Sequence, residues 1–524
     1  MATVGAGMLA MSPSAPAQPG PSQPNVIVIV ADDLAVSQVT RETMPKTLAA
    51  IGDEGTSFTN SIVSSPLCCP SRAGFISGAY PHNSGVFDNE PGYQSLVEKT
   101  SILPAWLQAA GYRTGHVGRY LLNYDRPPAN ESDGPDSMGG LASPPGLDTW
   151  FGLVGSQTLY QSAPFSDNGV PVQTGANLHD YSTRVLNRQS VDFVRTAETD
   201  PRPFYLTVAH LAPHSSNVET SGDCGQPGLP KPERGRLGQF ADVPLPKAPS
   251  FDEQAIGDKP NWVRTRPALG HTRRTNLKLG WRCALASLPS LDRGVGQLVA
   301  ELRRSDELDN TAIFVTSDNG YFFGEHRIFL NKVYPYEEAL RVPLLALVPP
   351  KLVGGGPVPA EIDAPVNQVD LTATIVDLAG AQPCTAQGNC RTLDGRSLRT
   401  LLAGRKPDWT RGRALLFQIG TNRTCGQIPA ERGLNTFYDA LRTKRYTYVE
   451  LNRVNRDTGI CDRPEFELYD LKKDPHQLRN IAANPLRGQT PSAVQSGLAT
   501  RLNSLKQCAG IAGRDPATGR PYCE

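Results

Sequence analysis

Apolar positions along this 524-residue chain follow two patterns, and the change of pattern divides it. Over the first 400 or so residues the apolar runs are continuous. Asn25-Val26-Ile27-Val28-Ile29-Val30 is an unbroken, β-branched run that fits a strand buried on both faces, as in a parallel sheet covered by helices. Pro203 to His210 and Thr311 to Thr316 have the same texture, and Arg113 to Val117 reads as a further strand. Leu344 to Val348 and Val366 to Val369 read as shorter ones. Helical periods lie between them: Thr43 to Gly52 or Gly55, Ser101 to Gly111, Ser182 to Thr196, Leu277 to Arg304 and Leu371 to Leu378. Pro289 predicts a break or bend in the fourth.

A Gly/Pro/Arg-rich break near residue 404 ends this texture. Beyond it Ala414 to Phe417, Ala440 to Arg442, Tyr446 to Val449 and Glu467 to Leu471 read as strands of an antiparallel sheet. The fold expected is α/β: a doubly wound, mostly parallel sheet flanked by helices, with a smaller C-terminal α+β domain. Residues 1–23 read as a leader or export-signal remnant, 24–405 as the large domain, 406–485 as the small one and 486–524 as a helix with a Cys-containing tail. Residues 125–180 and 215–260 are rich in Pro and Gly and are expected as long loops, a lid or substrate-facing insertions.

Composition narrows the function classes. A content of 39% hydrophobic and 20% charged residues is that of a soluble globular protein. A net charge of +1 gives no reason to expect nucleic acid as a partner, and no apolar run reaches membrane-spanning length. Ten cysteines, several in Gly/Asn/Thr-rich loops, favour an oxidising compartment, secreted or periplasmic. Cys384 with Cys390, Cys425 with Cys461 and Cys508 with Cys523 are plausible local bridges, although spacing does not fix connectivity.

Candidate chemistry sits at strand ends. Asp32-Asp33, His214 and Asp318-Asn319 each follow a buried run, and they converge only at the carboxyl edge of a parallel sheet. Hard oxygen ligands without clustered His or Cys suggest Ca²⁺ or Mg²⁺ over Zn²⁺. A further stretch, Pro66-Leu67-Cys68-Cys69-Pro70-Ser71-Arg72-Ala73-Gly74, is a turn opening into a short helix, where an anion can meet backbone N–H groups and an Arg. Taken singly, Asp-Asp is usually a turn or cap, Ser-Asp-Asn-Gly a β-turn and Cys-Cys a structural pair. Their joint placement in one chain favours a site.

Cys68-x-Pro70-Ser71-Arg72, with Ser77-Gly78 where Thr-Gly is usual, resembles the signature of the type I sulfatases of the alkaline phosphatase superfamily. The resemblance runs from about Pro24 to about Pro485 and leans toward the arylsulfatase and N-acetylglucosamine-6-sulfatase-like branch. It implies that a formylglycine-generating enzyme converts Cys68, not Cys69, to formylglycine (3-oxoalanine). It implies Ca²⁺, with Mg²⁺ as the alternative, held by Asp32, Asp33, residue 68, Asp318 and Asn319. Arg72 is expected to hold the formylglycine, and Arg119 and Lys332 to contact sulfate; Arg119 stands where the family usually has Lys. His214 and Asp318 are expected in proton transfer, and Asn89 and His326 in substrate contact. The function implied is hydrolysis of an aryl or sugar sulfate monoester. The alternatives are a phosphonate monoester or phosphodiester hydrolase of the same superfamily, or a catalytically silent binding homologue.

Overall fold

The structure is a computed structural model and describes residues 23–124, 141–155, 158–197, 199–216, 224, 228–420, 436–454 and 461–524. The expected leader, part of the first insertion and Cys425, with its expected bridge, lie outside the described residues.

A ten-stranded sheet forms the centre. Its order is Glu361–Ile362, Thr56–Phe58, Leu344–Leu347, Thr311–Ser317, Asn25–Asp32, Phe204–Pro213, Arg113–Gly118, Thr149–Leu153, Pro164–Asp167 and Val170–Gln173. The strands from Thr311–Ser317 to Thr149–Leu153 run parallel, and antiparallel partners close both sides. The first β-branched run lies in the middle and is buried along its whole length. Its side chains alternate between two cores, as strand geometry requires. Val26, Val28 and Val30 join the cluster that includes helices Cys68–Ser77, Leu103–Ala109 and Gln368–Leu378. Ile27, Ile29 and Ala31 join the cluster built with Ser182–Ala197 and His271–Arg304. Burying each large aliphatic side chain is worth about 1.5–3 kcal/mol, which locks the register of the central strand.

The C-terminal unit is a four-stranded antiparallel sheet of Ala414–Ile419, Thr436–Thr443, Tyr446–Val454 and Cys461–Asp470. One face shares a core with the large unit: Phe417, Tyr438, Val449 and Tyr469 pack in one cluster with Ile62, Val63 and Leu67. The other face takes Leu498, Leu502 and Leu505 of helix Ala493–Leu505. The tail then returns to the turn that follows the Cys68 helix. Asn83 Nδ2 donates to the Cys508 carbonyl at 2.9 Å, and His82 Nε2 lies 2.9 Å from the same oxygen.

Several expectations need correction. Within the first insertion, Thr149–Leu153, Pro164–Asp167 and Val170–Gln173 are not loop but three strands that widen the sheet. They are short, and Asn168 and Gly169, both at positive φ, make the tight turn between the last two. Helix His271–Arg304 is continuous through Pro289. Leu285, Leu288 and Leu291 are buried on either side of the proline and hold the helix in place. Val366 to Val369 is strand only over Val366–Asn367, because Asn367 caps the helix that begins at Gln368. The helix expected from Thr43 is a short turn, Pro45–Thr47, followed by a wide one at Leu48–Gly52.

Three disulfides join described cysteines. Cys384–Cys390 and Cys508–Cys523 match the expected local pairs, and Cys224–Cys283 joins the second insertion to the long helix. Cys68 and Cys69 are free and buried.

Candidate active site

The site is assembled from strand ends. Asn25–Asp32 pairs irregularly between Val30 and Asp32, which brings Asp32 level with Pro213 of the neighbouring strand. Asp33 follows at φ +67°, a left-handed conformation that Asp adopts more readily than most residues. Both carboxylates therefore turn to one place rather than to opposite faces of the sheet, and they group there with Cys68 and His214. Gly118, at φ +115°, ends the next strand but one; a Cβ there would strike the Ala209 carbonyl oxygen, so only glycine can present Arg119 in this way. Asp318-Asn319 follows Thr311–Ser317, and His214 follows Phe204–Pro213. The helix Cys68–Ser77 lies beneath these ends, buried throughout, with Cys68 as its first residue.

Cations and carboxylates interleave. Arg72 donates from Nε to Asp318 Oδ2 at 2.8 Å, from one terminal nitrogen to Asp32 Oδ2 at 3.1 Å and from the other to the Arg119 carbonyl at 2.9 Å. Arg119 is ion-paired with Asp32, and Lys332 with Asp33. Lys332 Nζ also lies 2.7 Å from Cys68 Sγ, and Asp32 Oδ1 lies 3.5 Å from that sulfur. His214 Nε2 is 3.7 Å from Asp33 Oδ2, while its Nδ1 faces the Ser215 carbonyl at 2.7 Å. Asn319 Nδ2 donates to Asp33 Oδ1 at 2.6 Å, and the Asp33 N–H to Asp318 Oδ1 at 3.1 Å.

Charge state follows from this packing. Burial alone would raise the Asp32 carboxyl, but Arg119, His214, Arg72 and Lys332 hold it well below the usual carboxylate range. Asp318 is pushed up to about 6 by burial and by the Asp32 charge. Burial lowers His214 to about 4 against the pull of Asp32 and Asp33. The Cys68 thiol is driven far up by burial and by Asp32. A thiol kept protonated is a poor nucleophile.

The donor set fits a hard divalent cation. Asp32, Asp33 and Asp318 are all buried and close together, an arrangement that is costly without a shared positive charge. Asn319 Oδ1 is buried and has no hydrogen-bond partner among the described residues. An oxygen left open beside clustered carboxylates suits Ca²⁺ or Mg²⁺.

Cys68, Arg72, Arg119, His214, Lys332, Asp32, Asp33, Asp318 and Asn319 thus come together. Asn89 lies beside the cysteine turn, where its Oδ1 accepts from the Cys69 N–H at 3.0 Å. His326 does not join the cluster, and its expected role as a substrate contact is corrected. It is fully buried, with Nδ1 at 2.7 Å from Glu253 and Nε2 at 3.7 Å from Glu338, and it is stacked on Tyr336. The sequence reading missed Gln368. Its Nε2 donates to Ser71 Oγ at 2.6 Å, and Ser71 donates to the Asp318 carbonyl, so the three fasten the Cys68 helix to the Asp318 turn. A single Gln after Val-Asn carries no local signal of that role.

A buried cysteine at a helix start, ringed by arginine, lysine and a carboxylate set for a hard cation at the edge of a doubly wound sheet, defines a hydrolase class that acts on esters of tetrahedral oxyanions. The sulfatase family model matches residues 24–381, and the model of the N-sulphoglucosamine sulphohydrolase C-terminal region matches 324–507. The arylsulfatase of Volvox carteri is 31% identical over 536 residues, 94% of this chain and 76% of that protein. The N-acetylglucosamine-6-sulfatase of Capra hircus is 30% identical over 532 residues, 96% and 87% respectively. The structure of BT4656 in complex with its substrate D-glucosamine-2-N,6-O-disulfate superposes with a TM-score of 0.69 at 22% identity, covering 92% of this chain and 97% of that one. The chain belongs to the sulfatase family and is a sulfuric ester hydrolase.

Proposed function

We propose that the chain cleaves sulfate monoesters of a sugar or an aryl alcohol at a formylglycine made from Cys68, beside a divalent cation. The observation that carries this reading is the position of Cys68 Sγ, 2.7 Å from Lys332 Nζ and 3.5 Å from Asp32 Oδ1 at the start of a buried helix. Conversion by a formylglycine-generating enzyme and hydration would give residue 68 two hydroxyls on one carbon, one to attack sulfur and one whose deprotonation lets sulfate leave. A cation held by Asp32, Asp33, Asp318 and Asn319 would supply charge to the sulfate oxygens.

The remaining work falls to this chain's side chains. Arg72 bridges Asp32 and Asp318 and fixes both next to residue 68. Arg119 and Lys332 offer positive charge to the ester oxygens in a site where burial strengthens each contact. Asp318, held by Arg72 beside residue 68, takes a proton from the attacking hydroxyl. His214, neutral above about 4, receives the proton of the second hydroxyl at Nε2. The three disulfides support a secreted or periplasmic location.

Mass spectrometry of the peptide containing Cys68, from protein made in its own host, tests the reading. An aldehyde mass is expected, and the Cys68→Ala protein is expected to lose at least about 1,000-fold in turnover of 4-nitrophenyl sulfate while keeping its fold. A thiol mass in active enzyme would sink the mechanism. Faster turnover of an aryl phosphodiester than of the aryl sulfate would move the substrate assignment to the phosphonate and phosphodiester branch.

A further inference from the structure

Beside the catalytic cluster lies a second recess of about 370 Å³, the size of a small-ligand pocket. Its walls come from the turn after the first strand at Val36, helix Glu337–Leu340, and the hairpin turn of the C-terminal sheet at Lys444. Tyr321 lines it and also lines the small hollow that reaches Asp33.

The charges in this recess are unevenly satisfied. Glu337 is neutralised by Arg442, which holds both its oxygens at 3.0 Å. Glu338 accepts from Ser250 at 2.8 Å and lies 3.7 Å from His326. The Glu325 carboxyl is pushed up to about 7 by burial and by Glu338, so part of it carries no charge at neutral pH. Arg341 has no such partner. Its half-buried guanidinium lines the recess and makes no hydrogen bond or ion pair with any described residue. His476 stands at the same wall in the same condition, and Lys444 adds charge at the exposed rim, where it pairs with Asp363. Val36 and Leu471 supply apolar surface between these groups, as the face of a sugar ring would require.

We propose that this recess is a second recognition site. It takes a carboxylate or sulfate on the neighbouring unit of an oligosaccharide whose scissile sulfate lies at residue 68. This rests on the sulfatase reading and adds to it a preference for polyanionic saccharides over isolated sulfate esters. Arg341 is the principal contact, because a planar guanidinium without a partner matches an oxyanion in two places at once.

The test compares a heparin-derived tetrasaccharide with 4-nitrophenyl sulfate. Arg341→Met and, separately, the rim variant Lys444→Glu are measured on both. The expected result is a KM for the tetrasaccharide raised about tenfold by Arg341→Met and less by Lys444→Glu, with 4-nitrophenyl sulfate turnover unchanged. Equal losses on both substrates, or no change on either, would overturn the proposal. Direct binding of the tetrasaccharide is measured in the Cys68→Ala protein with and without Lys444→Glu or Arg341→Met, so folding failure of one variant does not decide the outcome. If the unmodified enzyme cleaves neither ester but tetrasaccharide binding still depends on Arg341, the sulfatase reading fails and the second site stands. If binding ignores both substitutions, the second site fails whatever the enzyme hydrolyses.

Discussion

His326 shows how a residue with a catalytic look can serve structure. Burial alone would lower its pKa, yet the Glu253 and Glu338 carboxylates push it up to about 9. The unfolded imidazole titrates near 6.5, as a group with no neighbours does. A raised folded pKa means stabilisation that is complete below about 6.5 and is lost as pH climbs through about 9. The unfolding midpoint of the protein should therefore fall across that window. His326→Gln should flatten the fall and cost on the order of 1–3 kcal/mol at pH 6; thermal denaturation of both proteins from pH 6 to 9.5 would show it. The same residue marks a limit of sequence reading. Gly-Glu-His says nothing about Glu253, 73 positions away, which decides the role of the ring. Cys68, Arg72 and the strand-end acids were legible because their chemistry is tied to local spacing. Gln368 was not, since its partners Ser64, Ser71 and Asp318 arrive from distant segments.

Among the elements, the long helix His271–Arg304 does more than cover the sheet. Asp292, buried in its middle, accepts from the Lys46 N–H at 3.2 Å, from the Thr47 N–H at 2.7 Å and from Thr47 Oγ1 at 2.9 Å. It thus supplies from another element the cap that the short helix Pro45–Thr47 lacks in its own sequence. Asp292→Ala should cost about 2–3 kcal/mol, because two buried donors of Thr47 and the part-buried Lys46 N–H lose their acceptor. Urea denaturation should record that loss, while KM for 4-nitrophenyl sulfate stays unchanged. Continuous β-branched runs made the central strands readable, since burial on both faces leaves no other pattern. Thr149–Leu153, Pro164–Asp167 and Val170–Gln173 were hidden among Gly and Pro, where strands of four or five residues differ little from loop. Pro289 misled in the other direction: one missing N–H did not outweigh the buried leucines on either side.

For the whole molecule, the two units share a core, because the C-terminal strands complete a cluster begun by Ile62, Val63 and Leu67. A chain cut after residue 405 would expose that apolar face, and we expect it to be insoluble or to lack a cooperative melting transition in calorimetry. Removing a bound divalent cation should also act globally. Asp32, Asp33 and Asp318 would then repel one another inside the protein. Dialysis against a chelator should abolish sulfate ester turnover and lower the melting temperature, and Ca²⁺ at about 1,000 times its dissociation constant should restore about 4 kcal/mol. An unchanged melting temperature would show that the arginines and Lys332 neutralise the acids unaided.

The return of the tail to His82 and Asn83 also sets a clock. The Cys508 carbonyl that receives the turn after the Cys68 helix lies 426 positions further along the chain. At a synthesis rate of roughly 5–20 residues per second, this contact becomes available only about 20–85 s after His82 is made. Until then the turn that follows the helix carrying residue 68 lacks this tether. An enzyme acting on Cys68 of the growing chain, as the formylglycine proposal requires, would have that interval in which to act, before the thiol reaches its final exposure of 1%.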